Sequence, residues 1–422
     1  YVYVCIEKGM YGLKNAAILA YDNLKTQLKK YGYYPIEGTV GVWAHATRRT
    51  RFCVCVDDFA VKYFCMDDAQ HFLKAISSYY AITVDWEARN YCGLELTWDY
   101  AKGIVDVAMP QYVAKALKRL NYTPSTFPQF SPHAPAPFTT PTKGKQQMAE
   151  ALDTTPNLPL KEQRYLQSIL GTLLYYGRAL EYSILPAVND VAREQSAPTI
   201  STLKKAKRIL DYVATYPNAY LRYYASDMIL NCDSDAAYLV VPQAKSRVAG
   251  FYHLSSEFAK NRPTPINGGV LVECKILRHV VASAAEAEVA GLFYNAQTVL
   301  HIRRILQALN HPQPPTPMKT DNSTANGFVH KNIQQKRSKS WDMRFYWLRD
   351  KLLQKQFQFF WRKGTDNNAD YFTKHHPIKH HKEIRSRYVH DKNPTPTKIN
   401  HLANQISILY KNLTSKCQLL DT

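Results

Sequence analysis

No two cysteines in this chain stand in a CxxC spacing, and acidic side chains are in short supply. No uninterrupted apolar run approaches the roughly 18 residues a membrane-spanning helix needs. Each shortage excludes something. The eight cysteines are Cys5, Cys53, Cys55, Cys65, Cys92, Cys232, Cys274 and Cys417, and their spacing fits neither a zinc finger nor a disulfide framework. Cys53 and Cys55 lie in an apolar strand-like run, where free thiols pack as small hydrophobes. A reducing, intracellular setting is the simplest expectation. No signal peptide opens the chain, and it begins at Tyr1 rather than Met, as a piece of a longer reading frame would. The deficit of acids is the strongest signal. Asp and Glu number 34 against 54 Lys and Arg, for a net charge of +20. Such an excess favours a polyanionic partner, nucleic acid or an anionic surface. The 30 tyrosines supply rings able to stack on bases, although most are expected to serve packing.

What is present is enough chain, 422 residues, for two or three domains with a core in each. Periodicity predicts a helix over residues 15–31, ended by Gly32, and a hairpin around Asp57 and Asp58. A helix over 66–80, a second hairpin over 90–110 turning at "AKG", and a short basic helix over 111–122 follow. Eight prolines then fall between residues 123 and 160, marking a linker or extended strap. Residues 164–180 and 201–216 read as two packed helices, the second strongly basic. Beyond about residue 221 the pattern turns to strands (219–226, 228–235, 246–255 and 274–283) and a long helix over 283–310. A strand and helix within 316–331, a helix over 340–356, a strand over 357–364 and a last helical segment starting within 367–376 complete the series. Strands followed by alternating helices and strands indicate an α/β or α+β unit.

Four acids in this last region stand out by position. Asp233 ends the apolar run "MILNCD", Glu288 lies on the long helix, Asp321 follows the strand "PMKTD", and Asp370 opens the final segment. Strand ends and helix starts are where open α/β sheets gather functional groups. Carboxylates converging on one point repel unless divalent cations neutralise them, and an all-oxygen set suits Mg2+. Each acid also has a structural reading. Asp235 can share a strand face with Asp233, Asp370 can cap a helix, and Glu286 completes a capping box with Ser283, which leaves Glu288 as the candidate ligand.

The ordered set resembles the ribonuclease H domain of Ty1/copia-type retrotransposon polyproteins. The likeness is carried by "CDSDAAY", "SRVAGFYHLS", "ASAAEAEVAGL", "KTDNSTANGFVH", "RSKSWDMRFYWLRD" and "NNADYFTKHH". The family's catalytic carboxylates fall on Asp233, Glu288, Asp321 and Asp370. The resemblance implies cleavage of the RNA strand of an RNA–DNA hybrid, with two Mg2+ or Mn2+ ions held by those four. Two departures mark a divergent member: Trp341 stands where the family has a His before Asp, and "DSDAAYL" lacks the family's first-strand Trp.

The front of the chain resembles the reverse transcriptase of the same family. "GMYGLKNA" resembles its LYGLKQA segment, "CVDDFAVKY" its YVDD hairpin, and "YCGLEL" the strand that follows. "YLQSILGTLLYYGRAL" and "KKAKRILDYV" resemble the connection to ribonuclease H. A palm needs acids from two places to hold two metals. Asp57, with Asp58 beside it, would be one; the family's earlier DVxxAFL-like strand has no counterpart here, so this chain alone is not expected to polymerise DNA.

The expected architecture is therefore α+β or α/β: a truncated polymerase palm and helical connection, then a ribonuclease H-like mixed sheet with flanking helices. Residues 1–122 would be the palm and thumb-like region, 123–160 the Pro-rich linker, 161–220 the connection, 221–390 the ribonuclease H-like unit and 391–422 a peripheral tail. Lys204, Lys205, Lys207 and Arg208, with Arg337, Lys339 and Arg344, are the candidate phosphate contacts. The expected partners are RNA–DNA hybrid, RNA template, DNA and other polyprotein products, with no membrane. The resemblance implies a cytoplasmic virus-like particle or the nucleus. The competing reading is a non-catalytic nucleic-acid-binding remnant of a decayed element.

Overall fold

A computed structural model describes residue 13 and residues 15–133, 153–241, 244–256, 267–330 and 345–392. Among the described residues no helix is long and apolar enough to cross a membrane. The described residues form a mixed α+β structure with three sheets.

The first unit runs α1 (Ala16–Lys29), β1 (Tyr33–Pro35), β2 (Val42–His45), β3 (Arg51–Cys55), β4 (Asp58–Lys62) and α2 (Met66–Ser77). Its strands pair antiparallel in chain order. Apolar residues at four-residue spacing, Leu24 and Leu28 on α1 and Phe72 and Ile76 on α2, place both helices on one face of this sheet. There they bury Tyr33, Trp43 and Phe52. The expected hairpin forms, with Cys55 opposite Asp58 and a two-residue turn at Val56 and Asp57. Val56 takes φ +59°, a region costly for a β-branched residue.

A second antiparallel sheet gathers distant segments: β5 (Asn90–Tyr91), β6 (Leu94–Asp99), β7 (Ile104–Ala108), β8 (Ala219–Tyr224) and β14 (His390–Asp391). Its β6–β7 turn is the expected "AKG", with Gly103 at φ +63°. β8 straddles the boundary expected at 220/221, yet it pairs with β7 through Asp106 and Arg222, whose side chains also form an ion pair at 2.7 Å. Between these strands lie α3 (Tyr112–Arg119), α4 (Leu160–Ala179), α5 (Leu185–Arg193) and α6 (Ile200–Thr215). The start of the Pro-rich stretch forms a strap along α6. Asp211 accepts hydrogen bonds from Tyr122 Oη at 3.0 Å and the Ser125 N–H at 2.8 Å, and Thr215 Oγ1 accepts from the Gln129 N–H at 2.9 Å.

The third sheet comprises β9 (Ile229–Val241), β10 (Lys245–Ser255), β11 (Gly269–Ile276), β12 (Thr316–Thr320) and β13 (Phe357–Trp361), in the order β11-β10-β9-β12-β13. The first three are antiparallel; β12 and β13 run parallel to β9. One face is covered by α7 (Ala284–Ala308), α8 (Ser323–Val329) and α9 (Tyr346–Leu353), and the other packs against α4 to α6 and the C-terminal helix α10 (Ile378–Arg385). α7 approaches the sheet closely through Ala287, Ala290 and Gly291. Asn295 pins it there, donating to Ser234 Oγ and Ala249 O at 2.8 Å each and accepting from Tyr252 Oη at 2.9 Å.

Three boundaries differ from expectation for identifiable reasons. β9 continues eight residues past Asp233 because β10 pairs with it through Val241. The strand expected over 274–283 stops at Ile276, which pairs with Arg247 near the start of its partner β10 at Lys245. The last helix begins only at Ile378, because Pro377 restricts the residue before it and favours a fresh helix start.

Candidate active site

The register of the third sheet decides which acids meet. β12 lies beside β9 with Lys319 opposite Asp233. Asp321, the first residue past β12, therefore comes level with Asp235. One carboxylate oxygen from each of Asp235, Asp321 and Asp370 lies within 4.8 Å of the others. Glu288 reaches toward the same point from α7, where Thr320 Oγ1 donates to Glu288 Oε2 at 3.4 Å.

Asp233, the expected first-strand ligand, is not a member of this group. Its Oδ1 pairs with Lys319 Nζ at 3.0 Å, and its Oδ2 accepts from Asn368 Nδ2 at 2.6 Å and the Asn368 N–H at 3.2 Å. It is fully buried. Burial alone would raise its carboxyl, but Lys319 and His253 outweigh that and hold it below the usual range. Asp233 thus anchors the segment that carries Asp370 instead of facing solvent. Asn367 helps, donating to Ser234 O at 2.9 Å, and Asp370 follows in a single 3-10 turn.

The crowding has an electrostatic signature. Burial pushes Asp235 up to about 7, with Asp370 and Asp321 adding to the shift. Burial, then the charges of Asp235 and Asp321, push Glu288 well above the ordinary carboxylate range. Asp321 is raised by burial and by Asp370. Such a group could hold a divalent cation, and the all-oxygen donor set fits Mg2+ or Mn2+. Lys374 supplies one compensating charge. Its ammonium bonds Asp370 Oδ1, and the pull of Asp235 and its neighbours outweighs the burial that would lower it. The Thr373 hydroxyl donates to Asp235 Oδ2, and Trp361 Nε1 donates to Asp321 O at 2.8 Å. Sequence reasoning assigned no role to Lys374 or Thr373. The signal for Asp235 was its alternation with Asp233; choosing between the two needed the β9–β12 register.

The hairpin acids stand apart. Asp57 and Asp58 are exposed, and Asp58 Oδ2 accepts from the Cys92 N–H at 3.1 Å. Among the described residues neither joins a group of three potential ligands. The basic helix α6 divides as well. Lys204 is exposed, but Lys205 pairs with Glu194 at 3.7 Å and Arg208 Nε donates to His133 O at 2.7 Å. Lys207 is half-buried. Arg337, Lys339 and Arg344 lie outside the described residues, as does Trp341.

No protein-family model matches the chain. It is nevertheless similar along most of its length to retrotransposon polyproteins. The Transposon Ty1-ER2 and Ty1-MR2 Gag-Pol polyproteins of Saccharomyces cerevisiae (strain ATCC 204508 / S288c) are each 20% identical to it over 401 residues. That alignment takes in 91% of this chain and 22% of each relative, so the chain spans about a fifth of their length. The resemblance to Ty1/copia-type retrotransposon polyproteins thus holds across nearly the whole chain. Among solved structures, the foamy viral protease-reverse transcriptase in complex with dsDNA is similar at 14% identity and a TM-score of 0.39, over 84% of this chain and 60% of that one. A likeness that slight positions no residue.

Proposed function

We propose that this chain is the reverse transcriptase-to-ribonuclease H portion of a retroelement polyprotein, and that its C-terminal unit hydrolyses the RNA strand of RNA–DNA hybrids. The observation that carries the nuclease reading is the convergence of Asp235, Asp321 and Asp370 beside Glu288, where β12 ends alongside the parallel strand β9. Two divalent cations bound there would supply the charge that steadies the attacking and leaving oxygens of a phosphodiester. Asp235, Asp321, Asp370 and Glu288 would hold them. Thr373 orients Asp235, Trp361 pins the Asp321 backbone, and Lys374 balances part of the negative charge. Asp233, with Lys319 and Asn368, keeps the Asp370 segment in register with β9.

The net charge of +20 suits a polyanion, and grip on a hybrid would come from backbone shape more than from sequence. RNA template, DNA and other products of the same polyprotein are the further partners this reading implies. The Asp57–Asp58 hairpin is read as one acidic part of a polymerase site, and the nuclease reading does not depend on it.

The test is cleavage of a labelled RNA–DNA hybrid in Mg2+ by the wild type and by Asp321→Asn. RNA-strand cleavage by the wild type alone is expected, with duplex DNA left intact. Equal activity in both proteins would remove the assignment, and preferential cutting of duplex DNA would replace it with a DNA-processing nuclease.

A further inference from the structure

A second group of ligand-type side chains lies away from the carboxylate centre, where three distant segments meet. His133 ends the described part of the strap, Asp190 lies on α5, and His375 follows Lys374. One ligand atom from each lies within 4.8 Å of the others. The two imidazole rings stack with centroids 3.9 Å apart and planes inclined by 27°. His375 Nε2 lies 2.5 Å from Asp190 Oδ2. We propose that His133, Asp190 and His375 form a binding site for a divalent transition-metal ion of the Zn2+ class, which clips the strap and α5 to the segment that delivers Asp370.

Two imidazoles and a carboxylate are a zinc-type donor set, whereas Mg2+ takes oxygen ligands and keeps several waters. The surroundings of His133 and Asp190 are held in place by neighbouring hydrogen bonds. Arg208 Nε donates to His133 O at 2.7 Å, fixing the backbone of the strap at that residue. Asn189 Nδ2 donates to Cys274 O at 2.7 Å, tying α5 to β11 beside Asp190. Arg247 bonds Asp190 Oδ1, which orients the carboxylate with Oδ2 toward His375. The guanidinium adds positive charge near the ion, so the remaining coordination position favours hydroxide or another anion over a neutral ligand. Asp190 and His375 are 185 residues apart in sequence, and an ion joining them closes a long loop. His375 is five residues beyond Asp370, so the clip would restrain the fourth acidic segment without touching the carboxylate centre.

The experiment is a Zn2+ titration of the full chain after chelator stripping, in excess Mg2+, with elemental analysis of the retained metal. The wild type is expected to retain Zn2+ stoichiometrically. His133→Gln and His375→Gln should each weaken binding by about tenfold or more, while Asp321→Asn should leave it unchanged. Co2+ in place of Zn2+ should give the visible absorption of a tetrahedral site in the wild type, and lose it in His133→Gln. The site is overturned if the wild type retains no more Zn2+ than the His133→Gln/His375→Gln double variant. It is equally overturned if Asp321→Asn, and not the histidine variants, abolishes retention, since the ion would then sit among the carboxylates. Should a histidine variant fail to fold, the wild type decides alone: Zn2+ must raise its melting temperature, and no rise overturns the site.

Discussion

Asp233 and Asp235 are two residues apart on one strand, yet their surroundings separate them. Asp233 faces Lys319 and Asn368 in the interior; Asp235 faces Asp321 and Asp370. Replacing Asp233 with Ala would leave the Lys319 ammonium buried without its counter-charge, a loss of about 3–5 kcal/mol, readable as a lower urea midpoint. Asp235→Asn removes a charge from a crowded group, so its urea midpoint should equal or exceed that of the wild type. Two buried histidines set an acid limit. Burial pushes His253 down to about 4 and His381 to about 3, against an ordinary 6.5. As pH falls below 6.5 the unfolded chain takes up protons first. The stability these neutral rings contribute is thus complete above 6.5 and lost as pH falls toward 4 and 3. Asp235 and Glu288, carboxylates raised by burial, act in the opposite sense, so the histidine contribution is read as a difference. Between about pH 7 and about pH 5, the wild-type urea midpoint should lose more, or gain less, than that of His381→Gln. The same pH dependence in both proteins would contradict it.

At the scale of elements, α7 shows how a legible local signal is refined by the fold. Ser283 caps the helix as its sequence predicts, accepting from the Glu286 N–H at 3.1 Å, but Glu286 reaches past the Ser amide to the Ala282 N–H at 2.7 Å. Ser283→Ala should cost about 1 kcal/mol, measured by the same denaturation. α6 tests the division of its basic face. Lys204→Ala should lower the slope of log affinity for hybrid against log salt by about 1. Arg208→Ala should leave that slope unchanged and loosen the strap, seen as faster hydrogen exchange over residues 123–133. The helices and hairpins were readable because their signals lie within one turn or one pair of strands. The length of β9, the pairing of β8 with β7 and the choice of Asp235 were not, since each depends on a strand far away in sequence. Lys374 was hidden for the same reason: Asp370 is near it in sequence, but Asp235 and Asp321, whose charges also act on its ammonium, are not.

On the scale of the whole molecule, the third sheet is not self-sufficient. Phe251, Val272, Cys274, Tyr371 and Phe372 share one core with α4, α5 and α6. Glu181 and Arg385 form a buried ion pair across that junction, with Arg385 Nε donating to Tyr212 Oη at 2.8 Å. A fragment of residues 227–392 would expose this surface, so it should melt lower than the full chain or aggregate; an equally stable, monomeric fragment in a thermal melt with light scattering would contradict the shared core. The central claim is that a hybrid-cutting centre is built on Asp235 and supported by Asp233. Its most direct test is the initial rate of Mg2+-dependent RNA cleavage in a hybrid by the wild type, Asp235→Asn and Asp233→Asn, each checked for folding. Asp235→Asn should fold normally and lose more than the roughly 100-fold that an outer-shell loss costs. Asp233→Asn should lose stability, and its folded fraction should retain more activity than Asp235→Asn. A folded Asp235→Asn that cuts at the wild-type rate, beside a stable and inactive Asp233→Asn, would contradict the account.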